Sequence, residues 1–357
     1  MKRIALLGAT GSIGRQALEI VAAHPGLEIC ALASGSQSLA ELAATHGVRH
    51  VQVGGDLTAL LERTEPDVVL NAVVGFAGLP ATLWALEHGV DLALANKESL
   101  VAAGDLALAA QERGGGRILP VDSEHSAVFQ CLEGRPTETV HTLVLTASGG
   151  PFRGRSRDSL ATVTPGEALA HPTWDMGLLV TTNSATLINK GLEVIEAHVL
   201  FDVPYDRIEV TVHPQSIVHS LVEFVDGSTV AQASPPNMRL PISLGLSWPQ
   251  RVPGVGLPLD WTQRQRWTFE PLDETAFPAV RLAKRVGMAG SSFPAVFNAA
   301  NEEAVRAFHR GAIGFLGILE TVDAVVDAHT PEGPLTREGV GEAERWARAT
   351  ANALMEI

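Results

Sequence analysis

The first third of the chain alternates short apolar runs with amphipathic runs, and this alternation restricts the possible folds more than any other feature. The apolar runs are rich in Val, Leu and Ile without regular polar alternation, as in strands buried on both faces. They are Arg3–Leu7, Glu28–Ala33, His50–Val53, Asp67–Val74, Asp91–Ala95 and Arg117–Val121. Helical periodicity occurs between most of them, at Ser12–His24, Leu39–Thr45, Leu79–His88 and Leu100–Glu112. This repetition predicts an α/β fold with an N-terminal doubly wound parallel sheet of the Rossmann-like type.

The pattern changes after about residue 138. Strand-like runs occur at Thr142–Thr146 and Glu209–His213, and Asp226-Gly227 predicts a hairpin between Val218–Val225 and Ser228–Ala233. One long helix is predicted over Ser184–Leu200, and amphipathic helices follow at Ala276–Val286, Pro294–Phe308, Phe315–His329 and Arg337–Met355. We therefore predict a Rossmann-like domain (1–122), a central α+β domain (123–247), a linker (248–272) and a C-terminal α-helical domain (273–357).

Composition excludes several classes of partner. The chain of 357 residues has a formal net charge of −14, which repels nucleic acid and anionic lipid. It has only two cysteines, both in apolar segments, so we expect a reducing, cytoplasmic location and no disulfide framework. No apolar run reaches the ~20 residues of a membrane helix. The first apolar run breaks at Gly8, so it is interpreted as a strand and not as a signal peptide.

A glycine-rich turn follows the first predicted strand. The segment LLGATGSIGRQAL places Gly8, Gly11 and Gly14 between that strand and a helix, in GxxGxxG spacing. Such glycines allow a pyrophosphate to approach a helix N-terminus, although an ordinary strand–helix turn has the same spacing. The second strand is followed by Ser36 and Gln37, with no acid to bind a ribose 2′-hydroxyl, which favours NADP over NAD.

Two acids stand together in the segment LPVDSEHSAVF. Asp122 and Glu124 are two residues apart after a predicted strand, and in an extended segment their side chains would point the same way. Two close like charges are costly unless a cation lies between them, and oxygen ligands suit Mg²⁺ or Mn²⁺. Two acids alone, however, are also typical of an ordinary solvated turn.

Other segments carry polar residues that would suit a phosphorylated substrate. On the predicted long helix, Asn189, Lys190 and Glu193 share one face, although a surface ion pair between Lys190 and Glu193 would give the same spacing. Lys97 follows the fifth strand, where ligands bind in open α/β sheets. Ser148 opens a glycine turn typical of anion sites, and the loop HPTWDMG contains Trp174, either as a lid or as an anchor to the core.

Taken together, these segments resemble the 1-deoxy-D-xylulose 5-phosphate reductoisomerase family over nearly the whole chain. The matching motifs are GATGSIG, ANKESLV, LPVDSEH, SGGPFR, HPTWDMG, NSATLINKGLEVIEA, HPQSIVHS, PPNMRLPI and NAANEEAV. The resemblance implies NADPH-dependent rearrangement and reduction of 1-deoxy-D-xylulose 5-phosphate to 2-C-methyl-D-erythritol 4-phosphate, in isoprenoid-precursor synthesis. It also implies a Mg²⁺ or Mn²⁺ cofactor, a phosphosugar substrate and a homodimer, with NADPH in the first domain and catalysis in the second.

The resemblance assigns roles to individual residues. The metal ligands would be Asp122, Glu124 and Glu193. The catalytic residues would be Lys97, Ser123, Glu124 and His171. These four would bind substrate together with Trp174 and Glu193, and its phosphate would contact Ser148, Ser184, Asn189 and Lys190. Met176 would belong with His171 and Trp174 to a closing loop. The cofactor would contact Thr10, Gly11, Ser12, Ile13, Gly35, Ser36, Gln37, Asn96, Glu98, Gly177 and Met238.

The chain also departs from the family pattern. Leu179 and Asn183 stand where the family usually has Lys and Asp, which alters the charge near the phosphate-binding residues. Two other functions remain as alternatives. A metal-independent NADP dehydrogenase with Lys97 as acid or base would resist EDTA, and a non-catalytic nucleotide sensor would bind NADPH without turnover.

Overall fold

The computed structural model describes residues 1–174, 176–331 and 333–356, and the chain forms two compact units. Unit 1 contains residues 1–100, 104–130 and 237–260. Unit 2 contains residues 101–103, 131–236 and the chain from 261 to its C-terminus. The units are defined by packing and not by function, so the predicted functional boundaries after residues 122, 247 and 272 stay a prediction.

Unit 1 contains a six-stranded parallel sheet in the order β3-β2-β1-β4-β5-β6. Its strands are β1 (Lys2–Leu7), β2 (Leu27–Ser34), β3 (His50–Val53), β4 (Val68–Asn71), β5 (Asp91–Leu94) and β6 (Ile118–Pro120). This is the strand order of dinucleotide-binding folds, and it confirms the predicted Rossmann-like sheet. Because all the strands run parallel, their carboxyl ends lie along one edge, where such folds bind ligands.

Helices connect the strands of unit 1 as the periodicity predicts, with one addition. They are α1 (Ser12–Ala23), α2 (Ala40–His46), α3 (Leu57–Thr64), α4 (Leu79–Glu87), α5 (Lys97–Gly114) and the start of α6 (Ser123–Leu132). The short helix α3 was not predicted. The Asp56 carboxylate caps it by accepting a hydrogen bond from the Thr58 backbone N–H at 2.9 Å, and its Leu60 and Leu61 are fully buried.

Unit 2 contains a five-stranded mixed sheet in the order β10-β9-β7-β8-β11. Its strands are β7 (Val140–Ala147), β8 (Ile208–Val212), β9 (Val218–Phe224), β10 (Thr229–Ala233) and β11 (Glu270–Pro271). Strands β7 and β8 pair parallel, and the other pairs are antiparallel. The predicted hairpin joins β9 to β10, where Gly227 takes the left-handed conformation with φ +85°.

Of the remaining helices, the last four follow the predicted C-terminal pattern. The remaining helices are α7 (Arg157–Leu160), α8 (Pro165–Ala168), α9 (Leu178–Thr186), α10 (Ile188–Phe201), α11 (Arg239–Ser247), which belongs to unit 1, α12 (Ala279–Ala289), α13 (Phe293–His309), α14 (Phe315–Ala328) and α15 (Arg337–Leu354). Helices α7, α8 and α11 were not predicted. Within the described ranges, every helix is too short or too polar to cross a membrane.

The predicted single helix over Ser184–Leu200 is wrong, because two helices meet at Leu187. This residue is in the left-handed conformation, with φ +61° and ψ 12°, and its backbone N–H bonds to the Ser184 carbonyl at 3.2 Å. Its side chain is 4% exposed, so it continues the buried apolar stripe across the break. Periodicity therefore could not detect the junction, which places Ser184 on α9 and Asn189 on α10.

Candidate active site

The glycine turn after β1 is fixed by contacts within unit 1. Gly8 has φ +87°, and a Cβ placed there would lie 2.4 Å from the Ala72 carbonyl oxygen. A Cβ on Gly14 would lie 2.4 Å from the Gly8 carbonyl oxygen, so this glycine allows α1 to pack against the strand end. Gly11 caps α1 with φ −75°, and its nearest neighbour would be 3.5 Å from an added Cβ. The fold does not require Gly11, and its open side leaves room for a ligand at the helix N-terminus.

The turns after β1 and β2 lie side by side at the carboxyl edge of the sheet. Leu7 pairs with Ala33, and the Ala33 carbonyl accepts the backbone N–H groups of Gly8 and Ala9, each at 2.9 Å. The structure therefore brings together the residues of the two turns for which we predicted cofactor contacts, which are Thr10, Gly11, Ser12, Ile13, Gly35, Ser36 and Gln37. The last three are exposed.

Asn96 holds the turns after β4 and β5 together. It is 2% exposed and caps α5, where its Oδ1 accepts the Ser99 backbone N–H at 3.0 Å. Its Nδ2 donates to the Gly75 carbonyl and to Glu98 Oε2, each at 3.0 Å. These bonds give Asn96 and Glu98 a structural role at the sheet edge, and their contact with a cofactor stays a prediction.

The acid pair does not lie in an extended segment, and that expectation is wrong. Helix α6 begins at Ser123, and the Asp122 carbonyl accepts the first helical hydrogen bond, from the Ser126 N–H at 2.9 Å. Asp122 Oδ1 also accepts the Glu124 backbone N–H at 3.2 Å. Asp is a preferred helix cap because its carboxylate satisfies free N–H groups, and the helix dipole favours both negative charges there.

The other predicted residues of unit 1 surround this helix start. Lys97 Nζ donates to Asp122 Oδ2 at 2.9 Å, with the two side chains only 12% and 15% exposed. The Ser123 hydroxyl donates to Glu124 Oε2 at 2.8 Å. His125, the imidazole that follows the acid pair and to which the sequence assigned no role, is fully buried, with its Nδ1 3.2 Å from Asp122 Oδ1. An ammonium, a hydroxyl and two carboxylates thus meet beyond the end of β6.

In unit 2, α10 carries a buried polar cluster. The Glu193 carboxylate accepts hydrogen bonds from both Asn189 Nδ2 and Lys190 Nζ. Lys190 and Glu193 are only 5% and 1% exposed, so the alternative of a surface ion pair is wrong. Burying charged groups carries a large desolvation cost unless they are paired, and the pairing of Lys190 with Glu193 offsets that cost.

Ser148 and His171 form a second polar group in unit 2. His171 Nδ1 accepts the backbone N–H groups of Thr173 and Trp174 at 3.1 and 2.9 Å, so the ring proton must be on Nε2. That N–H donates to Ser148 Oγ at 3.0 Å, and Oγ also accepts the Gly150 N–H at 3.2 Å. Burial lowers the pKa of His171, in keeping with this neutral ring. With two donors already on its oxygen, the Ser148 hydroxyl is left to donate to a ligand.

Two consecutive glycines bring Ser148 near α9. Gly149 and Gly150 have φ +85° and +64°, and a Cβ on Gly150 would lie 2.9 Å from the Ser184 carbonyl oxygen. The end of β7 therefore packs closely on the helix that carries Ser184. The structure brings these two predicted phosphate ligands together, at the helix pair that also carries Asn189 and Lys190.

The remaining predicted residues lie in loops. Gly177 caps α9, and the Met176 carbonyl accepts the Thr181 hydroxyl at 3.1 Å. Trp174 is partly buried, and a role as a lid stays a prediction. Asp175 of the same motif lies outside the described residues. In unit 1, Met238 precedes α11 and packs against the core of that unit.

One contact was missed because it depends on distant residues. Asn183, which replaces the usual Asp of the family, accepts a hydrogen bond from Asn301 Nδ2 at 3.0 Å. Both are buried, at 4% and 0% exposure. Asn301 lies in the NAANEEAV motif on α13, so this motif supports the residue next to Ser184.

A Rossmann-type sheet with a glycine turn after its first strand is typical of dinucleotide-dependent oxidoreductases. The acids of unit 1 and the polar groups of unit 2 fit the same class. The model of the 1-deoxy-D-xylulose 5-phosphate reductoisomerase family matches residues 4–56 and 40–104. Models of the C-terminal domains of this reductoisomerase match residues 118–201 and 233–350.

Full-length relatives agree with these domain matches. The 1-deoxy-D-xylulose 5-phosphate reductoisomerase of Leifsonia xyli is 64% identical over 359 residues, which cover 99% of each chain. The solved reductoisomerase of Zymomonas mobilis in complex with NADPH is 40% identical, with a TM-score of 0.91 and 99% of each chain covered. A reductoisomerase solved with NADPH, fosmidomycin and magnesium is 34% identical, with a TM-score of 0.92 over 100% of this chain and 98% of that one. The chain belongs to the 1-deoxy-D-xylulose 5-phosphate reductoisomerase family.

Proposed function

We propose that this protein converts 1-deoxy-D-xylulose 5-phosphate to 2-C-methyl-D-erythritol 4-phosphate, with NADPH and a divalent metal ion. The observation that carries the proposal is at the carboxyl edge of the parallel sheet. There the open glycine turn after β1 lies along one edge with Lys97, which follows β5, and with Asp122, Ser123 and Glu124, which follow β6. Solved relatives bind NADPH and magnesium, which supports the same cofactors here.

The proposed metal ligands are Asp122 and Glu124 of unit 1 and Glu193 of unit 2. We propose that these three carboxylates together bind one divalent ion. All the donors are oxygens, which fits Mg²⁺ or Mn²⁺ better than softer metals. A bound divalent ion would polarise the substrate ketone and stabilise the negative charge that develops on its oxygens.

The protein's own side chains would bind and orient the substrate. The ammonium of Lys97 and the hydroxyl of Ser123 are positioned by Asp122 and Glu124, and we propose that both contact the reacting end of the sugar. We propose that the phosphate binds Ser148, Ser184, Asn189 and Lys190, with His171 orienting Ser148. Hydroxyl, amide and ammonium donors together suit a phosphate dianion. NADPH would supply the hydride that reduces the rearranged aldehyde.

We further propose that the glycine turn binds the pyrophosphate of NADPH at the N-terminus of α1. The exposed turn of Gly35, Ser36 and Gln37 would then lie at the 2′-phosphate, because β2 neighbours β1. Met238 would line the nicotinamide site, and Trp174 would close over the substrate to exclude water. The protein would act as a homodimer in the cytoplasm, which sedimentation of the purified protein and fractionation of cells would test.

A spectrophotometric assay tests the activity directly. NADPH oxidation is measured with 1-deoxy-D-xylulose 5-phosphate, with added Mg²⁺ or Mn²⁺ and after EDTA treatment. We expect turnover that requires both the substrate and the metal. Turnover that survives EDTA would favour the metal-independent dehydrogenase, and NADPH binding without turnover would favour the sensor.

The metal role is tested by Glu193→Gln, with Glu209→Gln on the exposed face of β8 as the matched control. Removing a residue that hydrogen-bonds to a metal ligand typically lowers metal affinity or activity about 10–100-fold. Removing a ligand itself should therefore lower kcat by at least about a hundredfold. NADPH affinity, measured by fluorescence titration, should stay near that of the wild type. Turnover of Glu193→Gln within a few-fold of the control would contradict the assignment.

A further inference from the structure

A pocket of about 310 Å³ opens among the C-terminal helices of unit 2, and the proposed reaction does not use it. Its walls come from the residues before α13, the end of α14, the loop that follows α14 and the first half of α15. This volume is at the lower end of the range for small-molecule sites. The pocket is therefore large enough for a compact ligand.

One face of α15 forms a wall of this pocket. Gly339, Glu342, Ala343 and Trp346 all line it, at spacings of three and four residues. Glycine inside a helix is destabilising, and a Cβ on Gly339 would meet only Thr336 Oγ1 of the same turn, at 3.2 Å. No other element of the described chain approaches this glycine closely enough to require it. Its missing side chain instead widens the pocket beside the Trp346 indole.

An aromatic, uncharged part of the lining adjoins this helix face. The His329 ring lies 5.0 Å from the Trp346 ring at an interplanar angle of 42°, and 5.0 Å from the Phe293 ring, edge to face. Its Nε2 is 2.8 Å from Ser292 Oγ. Burial lowers the pKa of His329, so the ring is neutral near pH 7. The pocket is thus lined by two rings that contact each other, His329 and Trp346, and by the Ser292 hydroxyl.

The charge of the pocket is negative. Among its described lining residues, Glu342 is the only side chain with a formal charge, and it has no ion-pair partner in the described part of the chain. A carboxylate beside an indole face attracts a cation by both direct charge and the ring quadrupole. Anionic ligands, including the phosphosugar substrate, would be repelled.

We infer that this pocket binds an organic cation with a flat apolar body, whose charged end pairs with Glu342 and whose body packs on Trp346. Protonated amidines and aromatic amines have this chemistry. The inference is independent of the proposed function, because the pocket shares no residue with the site described above. It gives the helical region a ligand site of its own.

Titration calorimetry on the full-length protein tests the inference, with benzamidine as the cation and benzamide as its neutral match. We expect benzamidine to bind at least about tenfold more tightly than benzamide, since only benzamidine makes a charge-assisted bond. Undetectable benzamidine binding, or equal binding of the two compounds, would overturn the inference.

Variants locate the binding. Glu342→Gln should weaken benzamidine binding about tenfold, and Glu338→Gln, an exposed acid in the first turn of the same helix, should leave it unchanged. Ala343→Leu should abolish binding by filling the pocket, and Glu193→Gln should not affect it. Equal losses in Glu342→Gln and Glu338→Gln would show non-specific attraction to an acidic surface and would refute the site.

Discussion

The site residues of the two units are positioned by different means. In unit 1, Gly8, Asn96 and Asp122 each follow the end of a strand within two residues, so the parallel sheet itself delivers them to one edge. In unit 2, His171 lies in a loop, and Ser184 lies near a helix junction. These residues depend on individual hydrogen bonds and on a few unusual backbone conformations.

This difference predicts how each unit should respond to mutation. A change at a strand end of unit 1 should disturb the fold itself, because the turn is packed against neighbouring backbone. A change at a polar contact of unit 2 should leave most of the fold intact. It should weaken substrate binding by about the free energy of that one contact. Stability and substrate binding should therefore separate in unit 2 and not in unit 1.

The largest effect on stability is expected for Gly8→Ala in unit 1. The new Cβ would lie 2.4 Å from the Ala72 carbonyl oxygen, in a residue with φ +87°. Strain at positive φ costs of order 1–3 kcal/mol, and the clash adds to it, so unfolding free energy should fall by at least about 2 kcal/mol. Denaturant unfolding measures this change.

Gly35→Ala is the matched control for Gly8→Ala. Gly35 follows the neighbouring strand at the same edge, its φ is not positive, and an added Cβ would meet nothing within 4 Å. We expect its stability to stay within about 0.5 kcal/mol of the wild type, or to rise slightly. Similar losses in both variants would show that the turn is not sterically fixed, and the contrast between the units would fail.

The sequence predicted most of unit 1 because its strands are short, apolar and separated by amphipathic helices. Residues at strand ends could be placed from topology alone, which is why Lys97 and Asp122 were expected near a ligand. The conformation of the acid pair was missed. Asp122 caps α6 through its side chain, and such local capping is not visible in the hydrophobic pattern.

The sequence predicted less of unit 2, for physical reasons. Leu187 is apolar and buried in register with its neighbours, so nothing in the pattern signals its left-handed φ. The Asn183–Asn301 bond joins residues 118 apart in the chain, and no spacing rule predicts such a pair. The sequence predicted which residues would bind the phosphate. The hydrogen bonds that hold those residues in place became visible only in the structure.

An intermediate effect is expected for His171→Gln in unit 2. In His171 the rigid ring holds the acceptor nitrogen at the loop N–H groups and the donor nitrogen at Ser148. A glutamine amide cannot reproduce both contacts in the same geometry. Loss of about one such hydrogen bond should raise KM for the phosphosugar about tenfold, with a smaller change in kcat. Steady-state kinetics measure the split, and a purely structural role would lower stability without this selective rise in KM.

The pH dependence gives a second test of His171. Burial lowers the pKa of the folded imidazole, so the unfolded chain takes up this proton at a higher pH than the folded one. Folding stability should therefore fall as pH drops through the ordinary histidine range of about 6.5 towards the lowered value. The fall should be shallower in His171→Gln. Identical pH profiles of unfolding free energy in the two proteins would contradict a neutral, buried ring.

The smallest effect on substrate binding is expected for the Asn183–Asn301 contact, whose energy a double-mutant cycle can isolate. Asn301→Leu leaves the buried Asn183 Oδ1 without its donor, at a cost of about 1–2 kcal/mol of unfolding free energy. Asn183→Leu should cost a similar amount. The double variant replaces both polar groups and should recover part of the loss, giving a coupling energy of about 1 kcal/mol.

The same variants decide whether the contact acts on the site or only on the fold. Asn183 precedes Ser184, so a shift of α9 should raise KM for the phosphosugar a few-fold while kcat and NADPH affinity stay near wild type. Additive losses of stability, with KM unchanged in all three variants, would mean that the NAANEEAV motif supports the helices alone. In that case α9 would be held by its packing, as the turns of unit 1 are, and the contrast between the units would rest on His171.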